Sequence, residues 1–265
     1  MKSIIVTGAY GGMGKAVVNK LVSCGYNVFA LDLKTESATP NVTPIQVDLT
    51  NQNSLDLAFK TIASIENEIF AIVHLAGIYK LNSLVEIKEE EFIKAFNVNL
   101  FGAYRVNKTF MPLLKKGSRI VITTSELAPL DPLPFTSIYS ITKSALDNYA
   151  YALKMELQLL DIHVSALRPG AVDTGLLNVS TVELDNFCKN TEYYPVNSKK
   201  FKSIVDKVES RKIKPEKIAL KITRILCCKK PKIIYKINRN PLLILLNVLP
   251  KRTQTWIIKK ILKSK

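Results

Sequence analysis

Tyr139 and Lys143 stand four residues apart, a spacing that on a helix sets a phenol and an ammonium one turn apart on the same face. A free phenol ionises near ~10, too high for proton transfer at neutral pH. A neighbouring ammonium favours the phenolate and would bring the hydroxyl into range as a general acid/base. Ser125, upstream at the end of an apolar run, can donate a hydrogen bond to a substrate oxygen. A Tyr and a Lys at this spacing are common on solvated helices, so the pair gains meaning only from the elements around it.

Those elements alternate. Ser3–Thr7 reads as a strand and Gly14–Ser23 as a helix, followed by strands at Val28–Leu33 and Pro44–Val47. A helix over Ser54–Ser64, the apolar run Phe70–Leu75 and a long helical stretch from Glu89 to Leu114 come next. Arg119–Thr124, Tyr139–Leu160 and Ile162–Leu167 then read as strand, helix and strand. Strands separated by helices imply right-handed crossovers and a parallel sheet covered on both faces, so the predicted fold is α/β and doubly wound, of Rossmann type. The first strand-to-helix turn is Thr7-Gly8-Ala9-Tyr10-Gly11-Gly12-Met13-Gly14. Glycine there permits a tight turn and a close backbone approach to a pyrophosphate, with the helix N-terminus facing the phosphates. Asp32, closing the second strand, is placed to accept hydrogen bonds from both ribose hydroxyls and to repel a 2′-phosphate, which favours NAD(H) over NADP(H). Asp48, beside Leu49, could reach the adenine amino group or could cap the following helix.

The charge is uneven. Residues 1–198 hold 17 Lys and Arg against 19 Asp and Glu, whereas residues 199–265 hold 21 against 3. A near-neutral body thus carries a cationic last quarter, which points to a polyanionic surface. The apolar fraction of 47% excludes wholesale disorder. No secretory signal precedes the first strand, and the four cysteines show no metal-ligand spacing, so free thiols in a cytoplasmic setting and no metal are expected.

Taken together, Thr7–Gly14, Asp32, Asp48, Asn99, Ser125, Tyr139, Lys143 and the Arg168-Pro169-Gly170 turn resemble the short-chain dehydrogenase/reductase family, in order and interval, over residues 1–185. The resemblance implies that Tyr139 is the general acid/base of hydride transfer between a nicotinamide and an alcohol or carbonyl. It implies that Lys143 holds the ribose and lowers the tyrosine's pKa, that Ser125 orients the substrate, and that Asn99 anchors a water in a proton relay. It also places Gly8, Tyr10, Gly12, Met13, Gly14, Ala76, Gly77, Pro169, Gly170, Val172 and Thr174 around the cofactor, with Thr174 at the nicotinamide amide. Three departures stand out. His74-Leu75-Ala76-Gly77 replaces Asn-Asn-Ala-Gly, and His74 is expected to pack rather than catalyse. The Ser125-to-Tyr139 interval is one residue longer than usual, with Thr124 as a fallback for the serine, and Thr123-Thr124-Ser125 stands where serines are usual.

Residues 174–201 lose periodicity and mix Leu176, Leu177, Phe187, Tyr193 and Tyr194 with polar residues, as a lid over an apolar pocket would. A lipophilic alcohol or ketone is the expected substrate. The domain boundary falls near residue 200, with 201–265 a basic extension. Pro241–Pro250 is apolar yet too short to span a bilayer. Thr255–Lys263 sets Trp256, Ile257, Ile258, Ile261 and Leu262 against Lys259, Lys260 and Lys263, a pattern that fits a membrane-interface helix. Packing on the domain or in a homo-oligomer contact is the alternative, and nucleic acid is disfavoured for want of a recognition module. Two further functions stay open. One is a 3-oxoacyl reductase, which Asp32 disfavours. The other is a non-catalytic dinucleotide-sensing scaffold, which has no use for a poised phenol.

Overall fold

The computed structural model describes residues 1–263; the side chains at 137, 176–181 and 209 lie outside the described set. Six strands lie close to where the apolar runs place them: β1 (Ser3–Thr7), β2 (Asn27–Asp32), β3 (Val42–Gln46), β4 (Ile69–His74), β5 (Leu114–Thr123) and β6 (His163–Pro169). A seventh, β7 (Ile234–Ile237), completes one parallel sheet in the order β3-β2-β1-β4-β5-β6-β7. Alternation along β1 shows how the sheet is buried on both sides. Ile5 enters a cluster with Leu55, Val106, Phe110 and Leu146, whereas Ile4 and Val6 enter another with Val17, Leu21 and Ile222.

The first cluster is covered by α2 (Gln52–Ala63), α4 (Gly102–Phe110) and α5 (Ser137–Leu157), with α3 (Glu89–Phe96) packed against α5. The second is covered by α1 (Gly12–Ser23) and α8 (Pro215–Cys227), which pack on each other. The expected single helix from Glu89 to Leu114 is broken: residues Asn97–Phe101 form a wider π turn between α3 and α4. Such turns recur at functional sites because they re-aim a side chain, here that of Asn99.

Two expectations for the C-terminal third are corrected. Residues 174–201 are mostly helical, not aperiodic: α6 (Gly175–Asn190) and α7 (Pro195–Glu209), joined by a short loop, bury Leu184, Phe187 and Phe201 in a third small cluster. A boundary near residue 200 also coincides with no break in the sheet, because α8 and β7 form its last crossover. Ala166 to Pro169 pair with Ile234 to Ile237, so the basic segment is partly core. Beyond it, α9 (Pro241–Val248) and α10 (Lys251–Leu262) run over the surface. No described helix is long and apolar enough to cross a membrane.

Candidate active site

The strand order reverses beside β1, and in an open α/β sheet ligands bind in the crevice beyond the strand ends at that point. The glycine turn lies there. Gly8 has φ +67, and a Cβ on it would come 2.7 Å from the backbone nitrogen of Ala76. A Cβ on Gly14 would run into the carbonyl oxygen of Gly8, and one on Gly12 would come 2.7 Å from Cβ of Thr174. Side chains at these three positions would collide with the chain itself, so only glycine lets the turn pack this closely against Ala76 and Thr174. The N-cap of α1 is Gly11, with no side chain to satisfy the first N–H groups and no acidic residue in the first turn. That leaves an anion-binding helix end, the donor set a pyrophosphate requires.

Asp32 closes β2 with its Oδ2 accepting the Tyr10 N–H at 2.9 Å, so the carboxylate faces the same turn. Lys15, the basic side chain next to Gly14, is paired with Glu36 at 2.5 Å. Asp48 does not cap the next helix. Asn51 does, accepting from the N–H groups of Asn53 and Ser54, while Asp48 Oδ1 accepts from the N–H and hydroxyl of Thr50 at 2.8 and 2.7 Å. Leu49 buries its side chain in the core, so only its backbone remains for a ligand. A dinucleotide thus fits the residues present from the turn to the end of β2.

At the other end, Tyr139 and Lys143 share one face of α5, with Lys143 Nζ 5.9 Å from the phenol ring centroid. Ser125, just beyond β5, lines the same cleft as Tyr139 and Lys143, so the three groups come together as their sequence spacing implies; its hydroxyl accepts the Leu127 N–H at 3.2 Å. The extra residue between Ser125 and Tyr139 lies in a loop carrying Phe135 at φ +63. Thr124 is not an alternative to Ser125: its hydroxyl donates to Asp147 Oδ1 at 3.0 Å. Tyr79 packs edge-on against the Tyr139 ring with centroids 4.5 Å apart, which fixes its orientation.

The electrostatics differ from the expectation that Lys143 depresses the phenol. Lys143 is buried, and its Nζ donates to the Thr123 carbonyl at 3.1 Å. Desolvation lowers its pKa to about 8 and raises that of Tyr139 to about 12; the nearby Ser125 hydroxyl pulls the phenol down and the Glu126 carboxylate pushes it up. In the protein alone, burial therefore outweighs the ammonium, and the phenol is held protonated.

Asn99, on the π turn, is 1% exposed. Its Nδ2 donates to the Ile78 carbonyl and the Thr142 hydroxyl, both at 3.0 Å, while Oδ1 accepts the Ile78 N–H at 2.8 Å. It thereby pins the strand-end segment that carries Ala76 and Gly77. A Cβ on Gly77 would come 3.2 Å from Asn99 Oδ1 and 3.4 Å from Lys143 Nζ. His74 is buried as expected, with Nε2 2.8 Å from Asn107 Oδ1, and Asn107 Nδ2 donates to the Tyr149 hydroxyl. Burial lowers its pKa to about 4, so the ring is neutral and braces β4 to α4 in place of the missing amide.

Pro169, Gly170, Val172 and Thr174 form the wall opposite Tyr139, with Gly170 against the backbone of Asn238 and Val172 bridged to Ile213. A cleft of about 180 Å³ opens between this wall and Tyr139. Met13, Gly77 and Thr174 are among its lining residues, together with Leu127, Leu133, Ile204, Val205, Val208 and Leu243. Leu176 and Leu177 have side chains outside the described set. Phe187 and Tyr194 pack beneath the lid around Phe135, whereas Tyr193 is largely exposed. Sequence reasoning missed Glu126, a 7% exposed carboxylate in this wall. A lone acid directly after Ser125, in a loop of leucines and prolines, was the available signal.

The family model for short chain dehydrogenases matches residues 2–184, and the chain belongs to that family. It is an NAD(P)-dependent oxidoreductase acting on CH–OH groups, an alcohol/ketone hydride-transfer enzyme. It is similar to a 3-ketodihydrosphingosine reductase of Bacteroides thetaiotaomicron, 28% identical over 96% of this chain and 92% of that protein. It is also similar to estradiol 17-beta-dehydrogenase 2 of Mus musculus, 28% identical over 72% of this chain but only 55% of that one. Among solved structures, a short chain dehydrogenase family protein from Francisella tularensis matches 89% of this chain and 97% of its own length, with TM-score 0.75 and 24% identity. A 3-ketoacyl-(acyl-carrier-protein) reductase from Brucella melitensis, complexed with NADH, matches at TM-score 0.73 and 20% identity over 89% of this chain and 96% of its own length, a likeness of fold.

Proposed function

We propose that the enzyme is an NAD(H)-dependent reductase or dehydrogenase of an apolar ketone or secondary alcohol, with Tyr139 as its proton donor and acceptor. The observation that carries this reading is the convergence of Ser125, Tyr139 and Lys143 on one apolar cleft, with Lys143 Nζ 5.9 Å from the phenol ring centroid. A bound nicotinamide supplies or receives the hydride. Ser125 and Tyr139 hold the substrate oxygen between them, and Tyr139 passes its hydroxyl proton to that oxygen as the carbonyl is reduced. Lys143 then stabilises the phenolate left behind and holds the ribose, while Asn99 fixes the strand-end segment and anchors a water that returns the proton. Gly8, Tyr10, Gly12, Met13 and Gly14 carry the pyrophosphate, Asp32 the ribose and Asp48 the adenine. The backbone of Leu49 and Ala76, with Gly77, flanks the nucleoside, and Pro169, Gly170, Val172 and Thr174 cover the nicotinamide.

NAD(H) preference is supported by Asp32 at the end of β2 and by the pairing of Lys15, the basic residue next to Gly14, with Glu36. An apolar substrate is supported by the cleft lining and by relatives named for 3-ketodihydrosphingosine and estradiol. A peripheral position on an anionic membrane, on the cytoplasmic side, is supported by α9, whose Leu242, Leu245 and Val248 are 64%, 64% and 78% exposed while Leu243 lines the cleft. On α10 the apolar face divides: Ile258 and Leu262 pack with α7, and Trp256 and Ile261 stay outside. A homo-oligomer is supported by exposed Phe101, Tyr104, Tyr151 and Met155 on and beside α4 and α5.

The test is titration of purified protein with NADH and NADPH, then turnover on long-chain and polycyclic ketones. NADH binding with turnover is expected, and Asp32→Ser should cut the NADH-over-NADPH preference at least ~10-fold. Preference for NADPH in the native enzyme would overturn the reading of Asp32.

A further inference from the structure

Resting on the apolar-substrate and membrane readings above, we infer that the mouth of the cleft opens into the lipid, so the ketone reaches Tyr139 from the bilayer and not through water. Of the residues lining the cleft, Ile204 on α7 is the most exposed, at 39%, so the opening lies beside it. α7 turns Val205 and Val208 to the same cleft, and α9 faces it with Leu243. α9 carries no charged residue, yet none of its residues is buried. Its Leu242 and Leu245 look outward, so the apolar lining runs on through Ile204 and Leu243 to the outer surface. An entrance built for a substrate arriving in water has no use for such a lip.

The charges flanking this lip are basic. Lys207 stands three residues on from Ile204, Arg239 precedes α9, and Lys251 and Arg252 follow it. Among the described side chains beside them, Asp206 is paired with Lys202 at 3.3 Å and Asp131 with Lys251. An apolar lip with cationic flanks complements acyl chains lying under anionic headgroups, which commits the mouth to an anionic bilayer. α9 is also fastened at both ends to the loop that runs from Ser125 to Tyr139. The Asn240 N–H donates to Glu126 Oε2 at 2.6 Å, and Lys251 holds Asp131 past the other end. The entrance is therefore set in place relative to the reacting side chains. The route matters because each methylene lowers a ketone's concentration in water about 4-fold relative to lipid. Uptake from water cannot exceed ~10⁹ M⁻¹s⁻¹, so at nanomolar aqueous ketone each enzyme receives about one molecule per second at most. A mouth set in the lipid escapes that limit.

The competing occupant of the mouth is a second copy of the chain, which would cover the same leucines. The experiment follows NADH oxidation by the full-length enzyme on one long-chain ketone. The ketone is delivered in phosphatidylserine-containing vesicles or from cyclodextrin, at the same aqueous concentration and in the range where turnover rises in proportion to it. A short, water-soluble ketone is the control. Turnover from vesicles should exceed that from cyclodextrin at least ~10-fold, and Leu245→Glu should abolish the excess while reducing the short ketone at the native rate. Equal turnover from both carriers, by native enzyme that sediments with the vesicles, overturns the inference without need of a variant and leaves the membrane position standing. Failure to sediment removes the membrane reading and the inference together, and a dimer that Leu245→Glu splits then gives the mouth to a second copy. Turnover of the short ketone alone overturns the inference and the apolar-substrate reading, whereas turnover of neither also removes ketone reduction.

Discussion

His74 shows how a residue at a family position can serve by a different bond. Its ring is neutral in the folded chain because burial holds the pKa at about 4, below the ~6.5 of an exposed imidazole. Between those values the unfolded chain binds the extra proton and the folded chain does not, so stability falls on acidification through that window and is complete above it. Urea unfolding should give a free energy lower at pH 4.5 than at pH 7 by on the order of 2 kcal/mol from this ring. His74→Asn should flatten that part of the dependence, and an unchanged slope would show that other groups set it. The presence of the glycine turn, Asp32 and the Ser125, Tyr139 and Lys143 set was legible in sequence because each is fixed by local spacing. The His74 brace was not, because its partner Asn107 is 33 residues away. The same holds for Glu126, whose partner Asn240 lies 114 residues off.

Elements carry these side chains to one place, and the join of α5 to β6 matters most. Asp147 on α5 receives both arms of the Arg168 guanidinium, at 2.9 and 2.5 Å, with both side chains almost fully covered. Arg168 in turn precedes the Pro169-Gly170 wall. Asp147→Ala leaves a buried guanidinium unpaired, and thermal unfolding should show a loss of about 3 kcal/mol with weakened turnover. A loss below ~1 kcal/mol would mean the pair is solvated and the wall is held otherwise. Strand and helix identity was readable up to β6 because apolar runs and 3.6-residue stripes alternate cleanly. The π turn left no such mark, since five residues of π turn keep a helical pattern on either side. β7 was hidden for another reason: Ile233, Ile234 and Tyr235 are crowded by Lys229, Lys230, Lys232 and Lys236, so a core strand reads as part of a cationic tail.

At the scale of the whole molecule, the charge imbalance and the exposed apolar residues of α9 and α10 fall on the same segment. α9 joins surface to site, since Leu243 faces the cleft and Leu242 and Leu245 face out. Under the proposed membrane position, the enzyme should sediment with vesicles containing phosphatidylserine and less with neutral ones. Raising salt should release it, because each basic residue contributes about 1 kcal/mol near such a surface. Leu245→Glu should weaken vesicle binding at least ~10-fold while NADH binding persists. Equal recovery with neutral and anionic vesicles, or none with either, would contradict the membrane position and leave the exposed leucines to a protein partner.

The central claim is proton transfer by Tyr139, and Tyr139→Phe tests it most directly. With NADH affinity measured by fluorescence and single-turnover NADH oxidation followed on a reducible ketone, the variant should bind NADH as the native enzyme does. Hydride transfer should fall by ~10²- to 10⁴-fold. A variant that oxidises NADH at the native rate would contradict the claim and place the proton donor elsewhere.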